Sequence, residues 1–257
     1  MFTTSITTLP SQFQLSFSSL AIAALAVFII GFSKSGIKGI FTIVVLLLAY
    51  VFESKASTGI VVPFLICGDI IAVWYYKKHV QWKILFKLLP WMVIGVLFGV
   101  YVGNDLNEEH FRTGLSIIIL ISVIMMFWWE RKKVKKVPTQ WWFAGIMGLG
   151  AGFTTMVGNL AGVFSNMFFL AMRLPKNEFI GTAAWLFFFI NIFKLPFHIF
   201  VWKTITVDTL NLNLHFIPFL LLGFWIGLKI LTKINDRLFR TFILVVTFIG
   251  ALIILLR

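Results

Sequence analysis

Two lysines and one aspartate interrupt apolar runs where charge is expensive. Lys34 lies in Gly31-Phe-Ser-Lys-Ser-Gly36, Lys194 closes Phe189-Ile-Asn-Ile-Phe-Lys194, and Asp69 is the acid placed well inside the run Val61 to Trp74. A lysine at the centre of a bilayer costs roughly 2.5–3.5 kcal/mol on insertion scales, so both lysines need partners, and an anion is one. A break at Ser33, Lys34, Ser35 and Gly36 would start a new helix beside Lys34. Its first N–H groups and positive dipole end, with the hydroxyls of Ser33 and Ser35, would face the same cavity, a donor set suited to an oxyanion. The matching break in the second half holds Thr154, Thr155, Gly158 and Asn159 but no lysine. Charge is therefore expected from the first half and neutral hydrogen bonds from the second. Asn191, one helical turn before Lys194, joins that neutral set.

Each group also has a plainer reading. Lys34 would sit in a cytoplasmic loop if both flanking segments spanned fully, and Lys38 reads as a snorkelling loop residue. Asp69 has two candidate roles, an ion pair with Lys34 or Lys194 and a proton-coupling carboxyl, because burial and a nearby cation push a carboxyl in opposite directions. Thr154 and Thr155 would do no more than satisfy freed backbone groups if the break were purely structural. His198, one turn beyond Lys194, reads as packed or hydrogen-bonded rather than reactive. Gly145, Gly148, Gly150 and Gly152 resemble a phosphate cradle, but in an apolar segment such spacing serves close helix packing.

These groups are carried by a chain of 257 residues that is 60% hydrophobic and 12% charged, with a mean hydropathy of +0.99. That is the composition of an integral membrane protein. The net charge of +13 points to anionic lipid on the cytoplasmic face, and not to nucleic acid. A single cysteine, Cys67, and 4 histidines exclude a disulfide framework and argue against a zinc or iron enzyme. No Walker loop, HExxH, GxSxG or acidic metal cluster is present, so no cofactor or metal is expected. The first fourteen residues lack Lys and Arg, and the first apolar run reads as structural rather than as a signal peptide.

Measured against the roughly 20 residues that span a bilayer, the apolar runs give ten segments, at 15 to 32, 37 to 52, 59 to 76, 84 to 103, 114 to 129, 141 to 157, 160 to 172, 180 to 201, 214 to 231 and 240 to 256. The second and seventh are the shortest, and each follows one of the polar breaks. The halves repeat: Pro90, Gly95, Gly99, Asn107, Phe111, Arg112 and Thr113 recur 128 positions later as Pro218, Gly223, Gly227, Asn235, Phe239, Arg240 and Thr241. Upstream the offset drifts, with Gly31-Phe32-Ser33 matching Gly152-Phe153-Thr154 at 121 and Asp69 matching Asn191 at 122. The expected fold is all-α: two inverted five-segment repeats, 1–133 and 134–257, each opening on a broken or re-entrant helical hairpin. An odd number of segments per repeat is what inverts the second.

Basic loops set the orientation. Lys77, Lys78 and Lys83, the connector Arg131 to Lys136, Arg173 with Lys176, and Lys233 with Arg237 and Arg240 fall on one side, which must be cytoplasmic. Both termini then lie outside an inner membrane. Inverted repeats with broken leading helices point to a secondary transporter with its site near the midplane.

The residues Gly31-Phe-Ser-Lys-Ser-Gly-Ile-Lys-Gly39 and Gly148-Leu-Gly-Ala-Gly-Phe-Thr-Thr155 open the two halves. Each is followed by a charged turn and a small-residue helix start, Glu53-Ser-Lys-Ala-Ser-Thr58 and Pro175-Lys-Asn-Glu-Phe-Ile-Gly-Thr-Ala183. In that order the chain resembles the TauE/SafE sulfite-exporter-like family, the toluene-sulfonate uptake permease group. The resemblance implies transport of small sulfur oxyanions and organosulfonates such as sulfite, sulfoacetate or taurine-derived anions, driven by ion gradients. This chain departs from the glycine-richer second hairpin of relatives by carrying Val157-Gly158-Asn159. The rival readings are a proton- or cation-coupled carrier of another metabolite using Asp69, and a membrane scaffold or embedded enzyme.

The inverted arrangement has a direct test. A reporter fused after Arg257 is expected to report the periplasm and one inserted at Lys133 the cytoplasm. Arg257 and Lys133 reporting the same side would remove the inversion.

Overall fold

The computed structural model describes residues 16–36, 40–52, 54–104 and 140–233, with a few positions between 106 and 117 and at 235 and 238. The N-terminal tail, Ile37 to Gly39, the segments expected at 114 to 129 (apart from Ile117) and at 240 to 256, and the basic connector lie outside the described residues. Among the described residues every regular element is helical: α1 Phe17–Lys34, α2 Phe41–Val51, α3 Ser54–Tyr76, α4 Trp82–Asn104, α5 Trp141–Gly158, α6 Ala161–Ala171, α7 Lys176–Pro196 and α8 Val207–Leu231. A short 3₁₀ turn, Lys77–His79, follows α3, and a π turn, Phe197–Val201, follows α7.

Five of these helical stretches are long and apolar enough to cross a membrane: Phe17–Lys34, Lys55–His79, Trp82–Asn104, Lys176–Val201 and Val207–Leu231. By contrast, α2 and α6 have 11 residues each. At 1.5 Å per residue they reach about 16 Å, half of the roughly 30 Å hydrocarbon core. The chain accordingly turns back after α1 and α5 into half-length helices, as the two short segments lead one to expect.

The breaks differ in detail from expectation. α1 ends at Lys34 because Gly36 takes φ +127°, a backbone region that suits glycine. The second interruption is narrower than Thr154 to Asn159. α5 continues through Gly158, and Asn159, left-handed at φ 57°, ends it. Thr154 stays within the helix, its hydroxyl donating back to the Gly150 carbonyl at 2.7 Å. Two later helices also begin earlier than the apolar runs suggest. α7 starts at Lys176, after Pro175, and α8 at Val207, where Thr206 and Thr209 form a reciprocal capping box.

Packing follows the sequence repeat. A Cβ on Gly95 would meet Leu149 O at 2.3 Å and Phe153 N at 2.9 Å, and one on Gly223 would meet Phe28 O at 2.0 Å and Phe32 N at 3.0 Å. Likewise Gly152 lies against Met92 O (2.0 Å) and Gly31 against Leu220 O (1.9 Å). Shifting each contact by the sequence offsets, 128 for α4 to α8 and 121 for α1 to α5, turns one set into the other. Thus α4 packs on α5 and α8 on α1 through the same backbone-to-backbone approach, which only a missing side chain allows.

Each half therefore lends its fourth helix to the other. One apolar core joins α1, α2 and α3 to α8, through Ala26, Ile30, Leu48, Phe64, Leu212 and Leu220. A second centres on α4 to α7, through Met92, Phe143, Phe168, Phe169 and Phe179, with edge residues from α2, α3 and α8.

Alanine at Gly31 or Gly152 is expected to force its helix pair apart and to destabilise the protein by about 1–3 kcal/mol or more. Gly145→Ala, whose added Cβ would find its nearest neighbour in the Trp91 ring at 3.6 Å, is expected to be neutral. Thermal unfolding of the three variants in detergent checks the order.

Candidate functional site

The seam between the two cores is polar. Lys34, the last residue of α1, is buried and sends its stem across Gly68, where an added Cβ would lie 2.8 Å from Lys34 Cγ. Its Nζ donates to Asp69 Oδ1 at 2.5 Å and stands 5.4 Å from the Phe187 ring centroid. The other carboxylate oxygen accepts from Asn191 Nδ2 at 2.6 Å. Asp69 is fully buried, and both of its oxygens act as acceptors, the pattern of an ionised carboxylate. The burial and ion pair of Lys34 set aside its reading as a loop residue.

Lys194, fully buried on α7, meets neutral groups. Its Nζ donates to Thr155 O and Thr155 Oγ1, both at 3.2 Å, and to Asn159 Oδ1. The left-handed turn at Asn159 aims that amide back across the seam, where Nδ2 donates to Thr58 O at 3.0 Å. Accepting from Lys194 leaves the Thr155 hydroxyl its own hydrogen to donate elsewhere. With both lysines protonated and Asp69 ionised, the cluster carries one positive charge that no protein carboxylate among the described residues offsets.

A cavity of about 60 Å³ opens beside the cluster, lined by Ser33, Lys34, Thr155, Asn159, Asn166 and Asn191 with Phe41, Leu65 and Phe187 among its apolar walls. One water needs roughly 10–15 Å³ on this measure, so the space suits an ion of a few heavy atoms. Of the sequence candidates, Ser33, Lys34, Thr155, Asn159 and Asn191 reach the wall, while Asp69 and Lys194 stand one hydrogen bond behind it. Ser35, Gly36 and Thr154 are placed elsewhere. The Ser35 hydroxyl donates to Phe32 O at 2.8 Å, its carbonyl accepts from Tyr76 Oη at 2.9 Å, and Gly36 packs on Ile180 and Leu231. α2 begins at Phe41, so its first turn adjoins the cavity through that ring, and the intervening residues 37–39 are outside the described set.

His198 is buried, bonded through Nδ1 to Thr204 Oγ1 at 2.9 Å and edge-on to Trp202 at 5.3 Å. This is the packed role its setting in a helix suggests. Asn166 is the residue that sequence reasoning passed over. Its signal was the Ser165-Asn166 polar pair inside the 11 otherwise largely apolar residues of α6.

Breaking a buried ion pair by removing one partner costs about 3–5 kcal/mol. Asp69→Asn is thus expected to lower thermal stability by that order, and pairing it with Lys34→Met is expected to restore most of the loss. An unchanged melting temperature for the single variant would mean that the bridge contributes nothing.

No curated protein and no solved structure matches the chain. The family model described as "Sulfite exporter TauE/SafE" matches residues 20–254, nearly the whole length. With that match and five helices fit to cross a membrane, the chain belongs to the TauE/SafE sulfite exporter family and is a multi-pass membrane transport protein.

Proposed function

We propose that the protein is a secondary transporter that exports small sulfur oxyanions or organosulfonates, sulfite-like or sulfoacetate-like, by alternating access. The observation that carries this reading is the excess of lysines over carboxylates, Lys34 and Lys194 to Asp69, beside a cavity sized for a small ion. Lys34 supplies a direct charge, Lys194 a field relayed through Thr155 and Asn159, and Ser33, Thr155 and Asn191 neutral contacts. Export is the direction that the family's description names.

The two repeats, 1–133 and 134–257, are read as inverted, with both termini outside an inner membrane. The recurrence of the glycine contacts at fixed sequence offsets supports that symmetry, and the distribution of basic loops supports the orientation. Alternating access would come from the two cores rocking across the polar seam. A coupling role for Asp69 would require the Lys34 bridge to open during the cycle; its two accepted hydrogen bonds favour the ion pair in the resting state.

Net charge in the cluster is the quantity to vary. Lys194→Gln makes the cluster neutral and is expected to weaken labelled sulfite binding tenfold or more, the scale of a charge-assisted hydrogen bond at about 1.5–3 kcal/mol. The double variant Lys34→Gln with Asp69→Asn removes one charge of each sign and is expected to lose less. Counterflow in proteoliposomes, with sulfate, acetate and choline as competitors, measures both. Undiminished sulfite binding by a folded Lys194→Gln protein would sink the anion reading.

A further inference from the structure

Asn166 has an amide in the cavity wall that the protein does not use. The residue is 3% exposed, and its Oδ1 is sealed from solvent without a hydrogen bond. Its neighbour Ser165 is satisfied within α6, donating to Ala161 O at 2.8 Å, so the polar pair splits into one internal group and one aimed at the cavity. The amide lies beside Gly162, where an added Cβ would stand 3.5 Å from Asn166 Nδ2, and the residue forms part of the cavity wall. The other two amides of the wall are engaged. Asn159 is bonded at both ends, and Asn191 donates to Asp69. A buried amide oxygen without a partner is costly to the empty protein, and a bound hydrogen donor relieves that cost.

We propose that Asn166 is a ligand of the transported ion and that it selects a monoanion retaining one acidic hydrogen, of which hydrogen sulfite is the sulfur-containing case. This deepens, and rests on, the reading of the cavity as an anion site. The cluster's single excess charge is matched by a monoanion, whereas a dianion would leave a buried negative charge. Lys34 donates only, and the Thr155 hydroxyl, already accepting from Lys194, donates as well. These groups serve the oxygens of any oxyanion. The amide carbonyl can only accept, so an anion without a hydrogen leaves it unpaired. Bicarbonate shares this chemistry with hydrogen sulfite.

The test compares four anions on purified protein in nanodiscs at mildly acidic pH, where hydrogen sulfite predominates: hydrogen sulfite, bicarbonate, methanesulfonate and sulfate. Wild type is expected to bind hydrogen sulfite at least tenfold more tightly than methanesulfonate, a monoanion with no acidic hydrogen. Asn166→Leu is expected to erase that preference by weakening hydrogen sulfite about tenfold while leaving methanesulfonate within twofold. Asn166→Ala, which asks the cavity to hold nothing larger, carries the same expectation if the leucine variant does not assemble. Equal losses for both anions, or no loss for either, would overturn the role of Asn166 and leave the transporter reading intact. Wild type that binds bicarbonate but neither sulfur anion would instead overturn the sulfur substrate and keep the selection of a hydrogen-bearing monoanion. Should neither variant fold, methanesulfonate binding wild type as tightly as hydrogen sulfite overturns the proposal.

Discussion

Two buried lysines stand against one buried carboxylate, and the arrangement around them follows from that shortage. Desolvating a charge costs several kcal/mol, and a partner in good geometry is what offsets it. Asp69 gives one oxygen to Lys34 and the other to Asn191, and Lys194 takes its bonds elsewhere. The second lysine is held by a carbonyl, a hydroxyl and an amide oxygen, which solvate it without neutralising it. That needs Thr155 and Asn159 at the end of α5, and the left-handed residue that ends the helix is also the one whose side chain turns back to the lysine. Helix termination and charge solvation are thus one structural event.

The cluster lies where it does because the fourth helix of each half is exchanged. With α4 locked on α5 and α8 on α1 by glycine-mediated backbone contact, each core is closed with material from both halves. The partners of the cluster then come from both sides of the seam: Lys34 and Asp69 from one core, Thr155, Asn159, Asn191 and Lys194 from the other. Glycine packing leaves little room to slide within a core. Polar bonds cross the seam instead.

Much of this was legible from spacing. The 128-residue offset of Pro90, Gly95 and Gly99 marked the helices that pack alike, and the 122-residue offset of Asp69 and Asn191 marked two equivalent positions that prove to be bonded to each other. Which lysine Asp69 would choose was not legible, because it depends on helix rotation and on Gly68 clearing a path for the Lys34 stem. The second break was drawn too wide because threonine and glycine look alike whether a helix is interrupted or merely tightly packed. Here Thr154 bonds within its own helix and Gly152 faces Met92. Asn166 was passed over for a related reason: two adjacent polar residues in a short apolar helix have no period from which to read a face.

Two further lysines bind helix ends away from the cluster. At the start of α3, Lys55 donates to Asn104 O at 3.0 Å and Leu106 O at 3.4 Å, at the end of α4, and lies 5.5 Å from the Trp202 ring centroid. At the start of α7, 121 positions on, Lys176 donates to Leu231 O at 3.5 Å, at the end of α8. The first joins α3 to α4 and the second α7 to α8. They sit at opposite ends of α3, since Gly181 near the start of α7 packs on the carbonyls of Tyr76 and His79, about 34 Å along the helix from Lys55. A cation on a helix C-terminus near the surface is worth about 0.3–1 kcal/mol, whereas breaking the central ion pair costs several times that. Taken as helix-end contacts, the ties are the weaker bonds, and the Lys34 to Asp69 pair between them is the stronger.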